Sequence, residues 1–133
     1  MDHQKLKIAS KSENITLVEK LINDVCQNLK ISEDHYGNIL VALTEAVNNA
    51  IQHGNKYNPN KSIDILFDNK KDAITFTVKD QGEGFDYDHL PDPTDPKNIE
   101  KPIGRGVFLM RNLADKVEFF DKGRTVCLDF KIN

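Results

Sequence analysis

The fold is decided by the segment Leu43-Thr44-Glu45-Ala46-Val47-Asn48-Asn49-Ala50-Ile51-Gln52-His53-Gly54. Its apolar residues recur at helical spacing, which predicts a buried helix that ends at Gly54. Glu45 and Asn49 stand four residues apart, so they lie about one turn from each other on one helix face. Because unpaired buried polar groups are costly, these two side chains are expected to hold something.

The chain on the N-terminal side of this segment is predicted to contain a strand and another helix. Ser32 is the predicted N-cap of the buried helix, since acids follow it where the helix dipole favours them. Apolar residues at helical spacing predict an earlier helix over residues 14–29. Leu6 and Ile8 alternate with polar residues and indicate a short strand, which would be an edge suited to pairing.

On the C-terminal side the apolar period changes to two, which is typical of strands. A hairpin is predicted over residues 63–79, with its turn at residues 69–72. Residues 81–103 fit neither period and hold four prolines, so they indicate a lid or a disordered loop. A helix is predicted from Val107 and two strands after it. This order predicts an α+β fold, with one mostly antiparallel sheet covered on one face by helices.

Composition excludes several classes of protein. A chain of 133 residues is expected to form a single domain over residues 1–133, and its net charge of -3 argues against a nucleic-acid partner. No apolar run approaches the ~20 residues that span a bilayer, and the first residues lack a signal-peptide core, so a cytoplasmic protein without a membrane partner is expected. Cys26 and Cys127 fit no zinc spacing and are expected to be reduced structural thiols.

Two glycine-rich segments are candidate ligand sites. Asp80 has the strand parity of the inward-facing residues before it, so its carboxylate is predicted to emerge on the core side, next to Gly82 and Gly84. An acid beside bare backbone suits a flat ring with an exocyclic amine such as adenine, although a solvated turn explains the pattern equally well. The Gly104-Arg105-Gly106 segment is predicted to open a helix, where free N–H groups favour phosphate. A flexible helix entry is the alternative.

The polar pair of the buried helix has a possible chemistry of its own. The Asn49 carbonyl oxygen is a hard ligand suited to Mg²⁺, and Glu45 could act as a general base toward an attacking hydroxyl. The alternatives are an interhelical hydrogen bond for Asn49 and a local ion pair for Glu45. His53, one turn further on, could contact a phosphate, or could be a helix-end residue near the negative pole of the helix dipole.

Together these motifs resemble those of a known superfamily. Glu45-x-x-x-Asn49-Ala50, Asp80-x-Gly82-x-Gly84 and Gly104-x-Gly106, in this order, are similar to the N, G1 and G2 boxes of the GHKL (Bergerat-fold) ATPases. Within that superfamily the chain most resembles the bacterial anti-sigma factor serine/threonine kinases. The resemblance spans nearly the whole chain and implies a two-layer α/β sandwich with a mixed sheet and a long ATP lid at residues 81–103.

The resemblance also implies roles for single residues. Asn49 would coordinate Mg²⁺, Glu45 would be the catalytic base, and Asp80 would bind the adenine amino group of ATP or ADP. The pocket would be shaped by four glycines, namely Gly82, Gly84, Gly104 and Gly106. Thr125 lies where the family places a threonine near adenine, although its strand parity is opposite to that of the core residues. Arg105 and His53 are candidate phosphate contacts.

Three functions compete for this sequence. The first is a Mg-ATP-dependent protein serine/threonine kinase that acts as an anti-sigma factor, which would phosphorylate an anti-anti-sigma (STAS) protein or sequester a sigma factor, and which the resemblance implies is a homodimer. The second is a non-catalytic nucleotide-binding module that holds a protein partner. The third is a nucleotide-free scaffold. Glu45 favours the kinase, because nucleotide binding alone does not need that carboxylate.

Overall fold

The computed structural model describes residues 3–84 and 102–132, so most of the predicted lid at 81–103 lies outside the described residues. The described part contains five strands and three α-helices in the predicted order. In chain order they are β1 (His3–Ala9), α1 (Ile15–Asn28), α2 (Glu33–Asn49), β2 (Ser62–Asn69), β3 (Ala73–Lys79), α3 (Pro102–Leu113), β4 (Lys116–Phe120) and β5 (Thr125–Lys131).

The five strands form one sheet in the order β1-β2-β3-β5-β4. Every pairing among these strands is antiparallel, so the described sheet is not mixed as the resemblance implied. The register sets Ile65 opposite Val78, and Val78 opposite Val126. Strands β1 and β4 are the edges of the described sheet.

The core lies between one face of the sheet and the helices. Alternate strand residues point toward the helices, and Ile65, Phe67, Phe76 and Leu128 are fully buried there. The rings of Phe67 and Phe76 pack with their centroids 5.3 Å apart. Burying each such side chain stabilises the fold by about 1.5–3 kcal/mol. The predicted α+β class, with helices on one face of a largely antiparallel sheet, is confirmed.

The helix that contains the polar pair begins as predicted but ends differently. The Ser32 hydroxyl accepts a hydrogen bond from the His35 N–H at 3.4 Å, which caps α2. The α-helical pattern stops at Asn49, and the chain continues through one π-helical turn, Ala50–Gly54. The prediction of a regular helix up to Gly54 was therefore wrong in its last turn. The wider turn closes where Asn55 N–H donates to Ala50 O at 2.8 Å.

Helix α3 begins earlier than the sequence predicted. It starts at Pro102, so Gly104, Arg105 and Gly106 lie inside the helix rather than before it. Proline suits the first helical position, and packing against α2 outweighs the low helix propensity of the two glycines. None of the described helices is long and apolar enough to cross a membrane. Cys26 and Cys127 are both free thiols, as expected.

Candidate functional site

A pocket opens between the last turn of α2 with the π-helical turn that follows it, the sheet and α3. Its walls come from the helical segment Ala46–Gly54, from the ends of β3 and β4, from the start of β5 and from Met110 of α3. Apolar side chains form most of the surface, and Asn49, Asp80 and Arg124 are the polar or charged members. The full lining is Ala46, Asn49, Ala50, Gly54, Val78, Asp80, Met110, Phe119, Gly123, Arg124 and Val126.

Asn49 and Glu45 lie together against α3. A Cβ at position 106 would lie 3.1 Å from the Asn49 amide and 3.1 Å from Oε2 of Glu45, so Gly106 allows both side chains to approach the helix. The two side chains share one face of α2, as their spacing predicted. The Asn49 amide lines the pocket, while Glu45 stands beside it, outside the lining residues.

One donor of the Asn49 side chain lacks a hydrogen-bond acceptor among the described residues. Its Nδ2 is buried and finds no hydrogen-bond partner among the described residues. Because a buried donor without a partner is costly, an added oxygen atom at this point would be stabilising. A bound phosphate oxygen or water would accept from Nδ2 and leave the carbonyl Oδ1 available to a hard cation.

Asp80 occupies another wall of the pocket. A Cβ at position 54 would lie 2.5 Å from Oδ2 of Asp80, so only glycine permits this contact between the helix end and the carboxylate. Asp80 Oδ1 accepts a hydrogen bond from Gly82 N–H at 2.8 Å. Burial raises the pKa of the Asp80 carboxyl, while that hydrogen bond and the nearby Arg124 charge oppose the rise.

The turn after Asp80 is packed too tightly for side chains. A Cβ at position 82 would collide with Gly54 O, and one at position 84 would collide with Lys122 O. Gly84 also has φ = +87°, a region that favours glycine. The turn from Asp80 to Gly84, hereafter the G1 turn, is therefore fitted between the π-helical turn that follows α2 and the turn that precedes β5.

Asn55 is a site-shaping residue that the sequence reasoning missed. It is 1% exposed and links four segments of the chain. Its Nδ2 donates to Ser10 Oγ at 2.6 Å and Ser62 O at 3.0 Å, and its Oδ1 accepts from Gln81 N–H at 2.7 Å. Asn55 thus ties the end of the helical segment directly to the G1 turn. An asparagine that follows Gly54 at a helix end was the available signal.

The glycines of α3 lie in different turns of the helix. Gly104 is buried in the first turn and Arg105 is exposed beside it. The Gly104 N–H belongs to the first turn, whose N–H groups have no intrahelical partner and can face an anion. Gly106, like Arg105, lies too far into the helix for that. The structure assigns it to close packing against Asn49 instead of to a free N–H group.

His53 and Thr125 are not among the residues that line the pocket. His53 is half-buried in the π-helical turn, its Nε2 has no partner among the described residues, and burial lowers its pKa. Thr125 pairs with Lys79 across the β3–β5 ladder, on the sheet face away from the helices. Strand alternation turns Thr125 away from the face that lines the pocket, and its role near adenine stays a prediction.

Arg124 lines the pocket, although the sequence reasoning did not identify it as a candidate site residue. It lies two positions before Val126 and lines the pocket with it. Its Nε donates to Gly82 O at 2.6 Å, and its Nη1 contacts Asp121 Oδ1 at 3.1 Å. The resulting polar wall places a carboxylate and a guanidinium at the same end of the pocket.

The donor set fits a nucleotide better than a metal ion alone. Asp80 offers an acceptor to an amine, Asn49 offers a buried donor and a carbonyl oxygen, and apolar side chains lie between them. Within residues 3–84 and 102–132 no group of three His, Cys, Asp or Glu side chains could hold a metal. A magnesium ion at Asn49 would therefore need phosphate oxygens and waters to complete its coordination. Mg²⁺ is commonly bound in this way at nucleotide sites.

This fold and pocket define an ATPase of the histidine kinase-like class, and comparison with known families agrees. Residues 8–130 match the profile of the histidine kinase-like ATPase domain. The chain therefore belongs to that family, and the superfamily resemblance drawn from the three motifs is confirmed.

Individual relatives narrow the class further. The chain is 30% identical to the serine-protein kinase RsbW of Staphylococcus epidermidis, over 96% of this chain and 85% of the relative. It is 28% identical to the protein of the same name from Oceanobacillus iheyensis, over 88% of this chain and 78% of the relative. A solved structure of the RsbU and RsbW domains of Rv1364c from Mycobacterium tuberculosis has the same fold, with a TM-score of 0.68 and 12% identity, covering 99% of this chain and 33% of that one.

Proposed function

We propose that this chain is a Mg²⁺- and ATP-dependent protein serine/threonine kinase that acts as an anti-sigma factor by partner switching. It would phosphorylate a hydroxyl of a STAS-type anti-anti-sigma protein, and it would sequester a sigma factor. The chain's relatives named serine-protein kinase RsbW support the kinase assignment. The motif resemblance to anti-sigma factor kinases supports the choice of partners.

One observation carries the proposal, namely the position of Glu45 beside the pocket. Its Oε2 and the Asn49 amide both lie against Gly106, while Glu45 itself is outside the pocket lining. A nucleotide that contacts Asn49 would therefore leave Glu45 at its margin. A carboxylate in that place can reach a hydroxyl that arrives from another protein, which a binding-only site does not need.

Each residue would then have a defined task. Asp80 would accept a hydrogen bond from the adenine amino group, and Asn49 would hold the metal through Oδ1 and a phosphate oxygen through Nδ2. Magnesium would supply neutralisation of the charge on the transferred phosphoryl group. Glu45 would take the proton of the partner's hydroxyl as the new O–P bond forms and the bond to the departing ADP oxygen breaks.

The exposed edge strand β1 suits the proposed homodimer. Strand β1 pairs with β2 on one side only, so its other side is an open edge of the described sheet. An open edge can pair with the same strand of a second copy. Sedimentation equilibrium of the purified protein measures this directly, and a monomer at micromolar concentration would remove the dimer from the proposal.

The kinase proposal is tested by phosphoryl transfer with Glu45→Gln. Labelled ATP, Mg²⁺ and a purified STAS partner should yield phosphoprotein with the wild type. Glu45→Gln should lower the rate about 10²- to 10⁴-fold, the usual contribution of a general base, while ATP affinity stays within about twofold. The matched control is Glu33→Gln, because Glu33 is an exposed glutamate in the first turn of the same helix. Its rate should equal that of the wild type.

Two outcomes would redirect the assignment. Transfer that proceeds in Glu45→Gln as fast as in the wild type would remove Glu45 as the base. If the wild type binds ATP tightly but transfers nothing to any STAS partner, the chain is a nucleotide-binding regulatory module that holds its partner without turnover.

A further inference from the structure

The guanidinium of Arg124 is built into the G1 turn. Its Nε donates to Gly82 O at 2.6 Å, and its Nη2 approaches Glu83 O at 3.4 Å. Its own carbonyl accepts the Asp80 N–H at 2.9 Å. One residue therefore holds the backbone on both sides of the Asp80 side chain.

The turn that carries Arg124 is itself strained. Asp121, Lys122 and Gly123 all have positive φ, at 52°, 57° and 88°. Left-handed backbone at a non-glycine residue costs on the order of 1–3 kcal/mol and persists only when its surroundings fix it. The Arg124 contact with Asp121 Oδ1 at 3.1 Å and the fit of Lys122 O against Gly84 are such constraints. The strain therefore marks a turn whose shape matters to the pocket.

The charge of Arg124 acts on the same carboxylate. Among the described residues, the charged groups that act on Asp80 are Arg124 and Asp121 from this turn and Lys61 from the segment before β2. The pocket residues of the helical segment, Asn49, Ala50 and Gly54, carry no charge. Arg124 is 29% exposed, so its charge is only partly screened by water, and it favours the ionised form of Asp80 against the effect of burial.

We propose that Arg124 is a positioning residue of the nucleotide site, which fixes the G1 turn and so holds the Asp80 side chain where it can accept from an exocyclic amine. It acts through Asp80 and makes no bond to phosphate. This inference rests on the proposed ATP site and deepens it, because it assigns the recognition of the base to a pair of residues instead of to Asp80 alone.

Two substitutions separate the two actions of Arg124. Arg124→Lys keeps the charge but loses the donor that Nε gives to Gly82 O. Arg124→Gln keeps a donor but loses the charge. The control is Lys131→Gln, because Lys131 is an exposed cation at the far end of β5, the strand that begins directly after Arg124. The probes are Mg-ADP and adenosine, titrated by calorimetry between pH 5 and pH 8.5.

The wild type should lose ADP affinity on the acid side as Asp80 becomes protonated. Arg124→Gln should move the midpoint of that loss to higher pH, because a neighbouring positive charge is gone. Arg124→Lys should keep the wild-type midpoint yet bind ADP about tenfold more weakly at every pH, the effect of one lost charge-assisted hydrogen bond. Adenosine should be weakened by the same factors as ADP, and Lys131→Gln should match the wild type.

Three results would overturn the inference. They are wild-type ADP affinity in Arg124→Gln, an unmoved midpoint in that variant, and weakened ADP binding with unchanged adenosine binding, which would make Arg124 a phosphate contact. Should Arg124→Gln fail to fold, Arg124→Lys with both probes still decides whether the residue acts on the base or on phosphate. If the wild type binds neither Mg-ADP nor adenosine, the proposed nucleotide site is contradicted, and this result is distinct from the three that contradict the role of Arg124.

Discussion

At the scale of single residues, strand parity predicted that Asp80 faces the pocket, but it did not identify Arg124 on the adjoining wall. Asp80 follows β3 directly, so alternation along the strand predicted its inward direction. Arg124 follows a turn in which three consecutive residues have positive φ, and no alternation rule carries through such backbone. Thr125 was chosen instead, although it faces away from the helices. Arg124 was not identified because the backbone angles of the turn before it cannot be read from the sequence.

Asp80 gives a prediction about stability and pH. Burial raises its pKa above the ordinary value of 3.8, so the folded protein binds this proton more tightly than the unfolded chain does. Its contribution to the free energy of unfolding is fully present below pH 3.8 and is lost as the pH rises through the folded pKa. Asp80→Asn has no carboxyl to ionise, so its free energy of unfolding should not fall in this way as the pH rises. Without nucleotide it should be more stable than the wild type at pH 7.5, and that advantage should shrink toward pH 4.

Urea denaturation at the two pH values measures this effect, and Asp24→Asn, at an exposed acid of α1, is the control that should show no such trend. The same Asp80→Asn variant should bind ADP about 10- to 100-fold more weakly, since it loses a hydrogen bond from an amine to a charged acceptor. A variant that is less stable than the wild type at pH 7.5 would show that Asp80 is structural.

At the scale of elements, the two helices that frame the site were predicted in type but not in their ends. The Ser32 cap was readable because serine before acids is a local signal. The π-helical turn Ala50–Gly54 depends on Asn55 and on the contact of Gly54 with Asp80, both of which join distant parts of the chain. The early start of α3 likewise depends on its packing against α2. Local propensity contains neither kind of information.

Two helical glycines offer a matched test at this scale. A Cβ at Gly37 of α2 would meet nothing within 4 Å, whereas a Cβ at Gly106 of α3 would press on Asn49 and Glu45 at 3.1 Å. Gly37→Ala should raise the free energy of unfolding by about 0.5–1 kcal/mol and leave the rate of phosphoryl transfer unchanged. Gly106→Ala should lower that rate about tenfold, because it displaces the groups that position the reactants.

Denaturation curves and single-turnover assays on both variants check the pair. In Gly106→Ala the higher helix propensity of alanine should offset part of the cost of crowding Asn49 and Glu45. The free energy of unfolding of this variant should therefore change by less than about 1 kcal/mol. Equal transfer rates in Gly106→Ala and the wild type would contradict the packing role given to that glycine.

At the scale of the whole molecule, the order of elements was the most predictable property. Period-two and helical spacing separate cleanly along the chain, and hairpin connections make neighbouring strands antiparallel. The insertion of β5 between β3 and β4 was not predicted, because sheet order follows from which faces pack together. The three motifs come from distant segments, and the fold brings Asn49 and Asp80 to one pocket lined also by α3.

The central claim is that this pocket binds Mg-ATP, and the free energy of unfolding with and without nucleotide tests it most directly. ATP at 100 times its dissociation constant, with Mg²⁺, should stabilise the protein by ~2.7 kcal/mol. Chelation of Mg²⁺ should reduce that gain, because Asn49 would lose its cation. A free energy of unfolding that is the same with millimolar Mg-ATP as without nucleotide would contradict the claim and leave a nucleotide-free scaffold.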